Sequence, residues 1–175
     1  MISVLHPPRT ILDVWESLPE GTLCQLINNN LVMSPSPTDL HQLVSGDIFS
    51  EIRAVVKKKK MGQVRYSPYD VHLSHRNIFQ PDIIFISNEN LHQIQDKGLV
   101  GVPDLVVEIL SPGTAHIDKG EKRDVYEQYG VKEYFMVDPA TKMVTALMLQ
   151  GKEFAEMEET TGSFYSKLLG TAITF

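Results

Sequence analysis

Three residues in the middle of the chain have the types and spacing to do chemistry together. Glu108 interrupts LVVEIL, residues 105–110, whose other positions are all aliphatic, the pattern of a strand covered on both faces in an α/β sheet. A carboxylate there must be paired, protonated or bound to a cation, because a bare charge in a low-dielectric interior is strongly unfavourable. Asp82 stands at the head of a second apolar run, Ile83 to Ile86, in QPDIIFIS. Two such strands side by side would bring the acids together. Lys122 lies in the amphipathic pattern after the Ser111-Pro112-Gly113 turn. At about 100° per residue, Asp118, Val125, Tyr126 and Tyr129 fall within about 60° of it, so Lys122 is on the stripe facing the sheet. A lysine there either snorkels outward along its stem or turns inward onto acids. Asp118 either holds Lys122 or caps the helix.

Mg²⁺ prefers oxygen ligands, keeps several waters and is commonly held by one or two carboxylates plus a substrate phosphate. Asp82 and Glu108 match that need, with Mn²⁺ as a possible substitute. The chemistry that fits is metal-assisted phosphodiester hydrolysis, with Lys122 orienting or helping to deprotonate the attacking water and stabilising charge on the phosphate.

A Pro-Asp before an apolar strand, a later strand with an inward Glu and a nearby lysine resemble the PD-(D/E)XK nuclease superfamily, the restriction-endonuclease-like fold. Within it, PDLVVEILSP followed by DKGEKRDVYEQYGVKEYFMVDP resembles the bacterial Uma-two family of endonucleases. The likeness runs from about Leu18 to Leu149 and is densest between Gln80 and Pro139. It implies metal ligation by Asp82, Glu108 and the backbone carbonyl of Ile109. It also implies a catalytic lysine moved from the strand position, here Leu110, to Lys122 on the following helix, and a histidine near the site, here His41. The chain departs from the family at Gln25 and Asn29 in LCQLINNN, where an acid and a glycine are usual.

The elements that must position these groups are legible around them. Thr10 to Leu18 predicts a short helix ended by Pro19-Glu20-Gly21, and Leu23 to Ile27 with Leu31 to Met33 a hairpin around three asparagines, which tolerate left-handed turns. A long helix is expected from Thr38 or Asp39 to Lys60, with His41, Val44, Ile48, Ile52 and Val55 or Val56 on one stripe and Gly62 closing it. Val64 to Tyr66 and Asp70 to Leu73 read as further strands of the sheet, and a turn follows at Ser74 to Asn77. Residues 88–102 read as a short helix and loop, Tyr134 to Val137 and Met143 to Leu149 as late strands, and Lys152 to Phe175 as edge strands and hairpins. Lys57 to Lys60 reads either as a solvated helix end, where cations favour the dipole, or as a weak DNA contact. His72 and His75 have no third ligand spaced for zinc.

With 175 residues and 42% hydrophobic content, the expectation is one domain, 1–175, α/β and restriction-endonuclease-like, with a mixed central β-sheet flanked by helices. Cys24 is the only cysteine, which excludes an internal disulfide and a thiolate zinc site. No apolar run approaches the ~18 residues of a membrane span, so a cytoplasmic protein without membrane contact is expected. A net charge of −6 argues against a wide nonspecific grip on nucleic acid. The resulting expectation is a Mg²⁺-dependent endodeoxyribonuclease, with DNA as partner and a homodimer to serve two strands. The alternative is a degenerate nuclease-fold protein acting as a nucleic-acid-binding or structural module.

Overall fold

β-Branched and aromatic runs order into a mixed sheet whose inner strands Leu105–Ile109 and Glu133–Val137 are buried on both faces. In the computed structural model, which describes residues 7–175, the strand order is Glu153–Glu156, Met143–Gln150, Glu133–Val137, Leu105–Ile109, Ile83–Ser87 and Gly62–Tyr66, with Thr160–Thr161 added beside Met143–Gln150. Leu105–Ile109 and Glu133–Val137 run parallel, and the other neighbours run antiparallel. A parallel pair needs a crossover, and the helical residues 115–129 supply it.

Alternation along Leu105–Ile109 splits the core in two. Leu105, Val107 and Ile109 pack on Val44, Ile48, Ile52 and Val56 of the helix Asp39–Lys59 and on Phe164 and Ile173 of the C-terminal hairpin. Val106 faces the other way, toward Val125 and Tyr126 of the crossover and Val71 and Phe79 of a second sheet. Glu108 shares that side by the period of two.

The second sheet corrects the sequence reading. Its order is Asn30–Met33, Cys24–Ile27, Asn77–Phe79, Val71–Ser74, Gly98–Val100 and Ile94–Gln95. The strand expected at Asp70 to Leu73 therefore leaves the central sheet. Asn77–Phe79, of which only Asn77 was given a reading, as the end of a turn, and Gly98–Val100, read as loop, are strands too short to show an alternation. The expected hairpin and first helix are present, at Cys24–Ile27 with Asn30–Met33 and at Ile11–Glu16 behind a Thr10–Asp13 capping box.

The long helix starts where Thr38 Oγ1 accepts from the His41 amide at 3.2 Å. It ends on Lys60 in the left-handed conformation, φ 53°, rather than on Gly62. Gly62 is needed for close approach instead, since a Cβ there would stand 2.0 Å from the Ile86 carbonyl oxygen. In the lysine run, Lys57 and Lys58 are exposed, whereas Lys59 Nζ donates to the Leu169 carbonyl at 2.6 Å and ties the helix to the C-terminal hairpin. Lys59→Met is expected to lower stability by about 1 kcal/mol. Lys57→Gln and Lys58→Gln should stay within about 0.5 kcal/mol of wild type, with all three variants compared by urea titration. Among the described residues no helix is long and apolar enough to cross a membrane.

Candidate active site

Register brings the two acids together. Ile83 faces Val107 across the antiparallel pair, so Asp82, one step beyond the ladder, stands opposite Glu108. Each carboxylate takes an amide of the other strand: the Asp82 amide donates to Glu108 Oε2 at 3.4 Å, and the Ile109 amide donates to Asp82 Oδ2 at 2.7 Å.

Lys122 does not snorkel. It is 3% exposed, and its Nζ lies 2.8 Å from Glu108 Oε1 and 3.0 Å from Asp118 Oδ1. Asp118 is buried in that ion pair, so its role is to hold the lysine. Both residues lie on a π-helical turn, Asp118–Lys122, between Ala115–Ile117 and Arg123–Tyr129. π-Turns perturb the regular hydrogen-bond ladder, and the Asp118 carbonyl accepts from Tyr134 Oη of the central sheet at 3.0 Å. Tyr126 Oη donates to Glu108 Oε1 at 3.0 Å. The helical stripe pointed to Tyr126 as core; its hydroxyl contact was not legible.

Burial pushes the Glu108 carboxyl up, to about 8; Lys122 pulls it back and Asp118 and Asp82 add to the rise. For Lys122, burial works against the charge, but Glu108 and Asp118 more than offset it and hold the ammonium above the usual lysine range. The Tyr126 phenol, raised by burial and then by Glu108, stays protonated as a donor.

His41 reaches the same acids from the opposite face, its Nε2 3.3 Å from Asp82 Oδ2. Burial alone would lower its pKa, but Asp82, Glu108 and the Ile109 backbone raise it above the ordinary value of 6.5. The imidazolium–Asp82 pair therefore adds stability that is fully present below pH 6.5 and is lost as pH rises through the elevated value. In metal-free protein, the stability advantage of wild type over His41→Asn should shrink in that direction across neutral pH, as read by urea unfolding.

Asp82, Glu108, Asp118, Lys122 and His41 line a cavity of about 120 Å³ together with Ile109 and Gln25, room for roughly four waters. His72 and His75 do not line it; His72 packs edge-on to Trp15. Among the described residues no set of three or more His, Cys, Asp or Glu side chains is arranged to hold a metal ion. A cation here would rest on two carboxylates and a carbonyl, completed by water and substrate, which is how Mg²⁺ is usually bound. The donors fit. The contacts above occupy Glu108 Oε1 and Asp82 Oδ2, leaving Asp82 Oδ1 available and Glu108 Oε2 held only by its long amide contact.

The fold has a counterpart among solved structures: a crystal structure described as a "putative nuclease belonging to DUF820 from Anabaena variabilis" matches with a TM-score of 0.76 and 17% identity, covering 93% of this chain and 92% of that one. The expected fold class, a mixed sheet flanked by helices, is thereby met. No curated protein matches the chain. The Uma2 family model, described as "Putative restriction endonuclease", matches residues 12–167. The match spans nearly the whole chain, which therefore belongs to the Uma2 family.

Proposed function

We propose that this chain is a Mg²⁺-dependent endodeoxyribonuclease, with Mn²⁺ able to substitute, in which Asp82, Glu108 and the Ile109 carbonyl hold the ion. The observation that carries this reading is the convergence of Asp82, Glu108 and Lys122 on one cavity in a chain of this family. The ion would supply Lewis-acid polarisation of the phosphate and a more acidic bound water. Lys122, held as an ammonium by two carboxylates, acts as a donor to the water and to the developing phosphate charge, not as a base. His41, in its neutral form once pH has risen through its elevated value, would take the water's proton. Asp118 and Tyr126 keep Lys122 and Glu108 in place. A homodimer, which would give one site to each strand of a duplex, is part of this proposal and is checked by sedimentation.

The test is incubation of pure protein with supercoiled plasmid and with single-stranded DNA, in Mg²⁺ or Mn²⁺ against EDTA. Metal-dependent nicking or linearisation is expected. Intact DNA in every condition, with the protein folded and metal bound, would return the chain to the non-catalytic reading.

A further inference from the structure

Gln25 is an uncharged polar side chain sealed into the second sheet at 7% exposure, and buried polar groups of this kind are held by hydrogen bonds. Its Nε2 donates to Ser34 Oγ at 3.1 Å, and its Oε1 accepts from the Gln80 amide at 3.0 Å. The strands Cys24–Ile27 and Asn77–Phe79 share one register pair, Leu26 with Ile78. Beyond it, the Gln25 carboxamide continues the connection that the backbone ladder drops.

The segment it grips is the one that carries Asp82. Gln80, Pro81 and Asp82 precede the strand Ile83–Ser87 and lie outside its ladder, and Pro81 has no N–H to give. The two amides of the segment both go to side chains, Gln80 to Gln25 and Asp82 to Glu108. The Gln80 carboxamide adds two ties to the same sheet region, donating to the Thr22 carbonyl at 3.2 Å and to Asp70 Oδ1 at 2.9 Å. On the other side, the Asp82 carbonyl accepts from the Ser67 amide at 2.9 Å.

We propose that Gln25 is a positioning residue: acting through Gln80 and the rigid Pro81, its carbonyl oxygen fixes the Asp82 carboxylate against Glu108 and so sets the affinity of the site for a divalent cation. This inference rests on the metal-site reading above. The sequence set Gln25 apart only as a departure from a family pattern; its contact with Gln80 shows what it does here.

Calorimetric titration with Mg²⁺ alone tests it on the full chain, with metal-free melting measured in parallel. Gln25→Met keeps the volume and removes the acceptor; it should weaken Mg²⁺ binding about tenfold or more, in the range found for residues that orient metal ligands. Gln25→Glu keeps an acceptor for the Gln80 amide and should bind at least as tightly as wild type. Ser34→Ala, which removes only the partner of the donor side, should leave the affinity unchanged. If Gln25→Met does not fold, Gln25→Asn, which withdraws the acceptor by one methylene, carries the same expectation. Wild-type affinity in Gln25→Met, or equal weakening in Gln25→Glu, overturns the proposal even if it lowers the melting temperature. Absence of Mg²⁺ binding to wild type itself overturns the metal-site reading and this inference with it, whereas binding by wild type that Gln25→Met does not alter overturns the inference alone.

Discussion

Lys122→Met is expected to slow DNA hydrolysis at saturating Mg²⁺ by about 10²- to 10³-fold, or about 3 to 4 kcal/mol, in single-turnover cleavage, because on the proposed reading it removes one group that meets charge developing in the transition state. Mg²⁺ binding should persist or tighten, since a positive charge beside the acids is gone. The structure adds a second effect. Lys122 is 3% exposed and is shared by Glu108 and Asp118, so its loss strands two buried carboxylates, at a cost on the order of 3–5 kcal/mol. The metal-free variant should melt well below wild type, and Mg²⁺ should restore more stability to it than to wild type. Lys119→Ala is the control, since Lys119 is exposed, and it should keep most activity. An inactive Lys119→Ala beside an active Lys122→Met would reverse the assignment. If neither matters while wild type cuts DNA, the lysine has no part in the chemistry.

Asp82→Asn and Glu108→Gln should each abolish the Mg²⁺-induced rise in melting temperature and lower cleavage on the order of 10³-fold, the equivalent of several kcal/mol of metal-assisted stabilisation. They should differ when metal-free. Glu108 has its folded pKa raised from 4.5 to about 8, so between those values the folded state holds more protons than the unfolded one. Its contribution to stability is therefore present below pH 4.5 and falls as pH rises to about 8. Glu108→Gln should remove that decline, and saturating Mg²⁺ should flatten it in wild type. A wild-type melting curve indifferent to millimolar Mg²⁺, with both variants identical to it, would eliminate the two-acid site.

The acids and the lysine were legible because each violates the pattern around it: a charge within aliphatic strands, or on the inward stripe of a helix. The long helix was legible for the opposite reason, its buried His41, Val44, Ile48, Ile52 and Val56 keeping to helical spacing. Other features had no such signal. Asn77–Phe79 and Gly98–Val100 are three residues long, and no local pattern assigns strands of that length to one sheet or another. The π-turn, whose Asp118 carbonyl accepts from Tyr134, has no local sequence mark, and Tyr126 looked apolar by position. Gln80 has no sequence mark, since its role comes from ties to Thr22, Gln25 and Asp70. The helix ends where expected, at Lys60, but Lys60 itself takes the left-handed cap, and Gly62 serves the tight approach to Ile86 instead.

Lys122 lies in the crossover between the parallel strands of the central sheet. Such a pair closes only after the whole connection has been ordered, and the chain entropy of that closure must be met before the contacts it brings can form. A ribosome delivers Asp82 and Glu108 first and the partner strand Glu133–Val137 later. Until that strand docks, the hydrogen bond from Tyr134 to the Asp118 carbonyl, which ties the lysine's helical turn to the sheet, is missing. On the proposed reading, a nascent chain therefore carries all the reactive side chains while still inert, and it acquires the ability to cut only as the sheet closes.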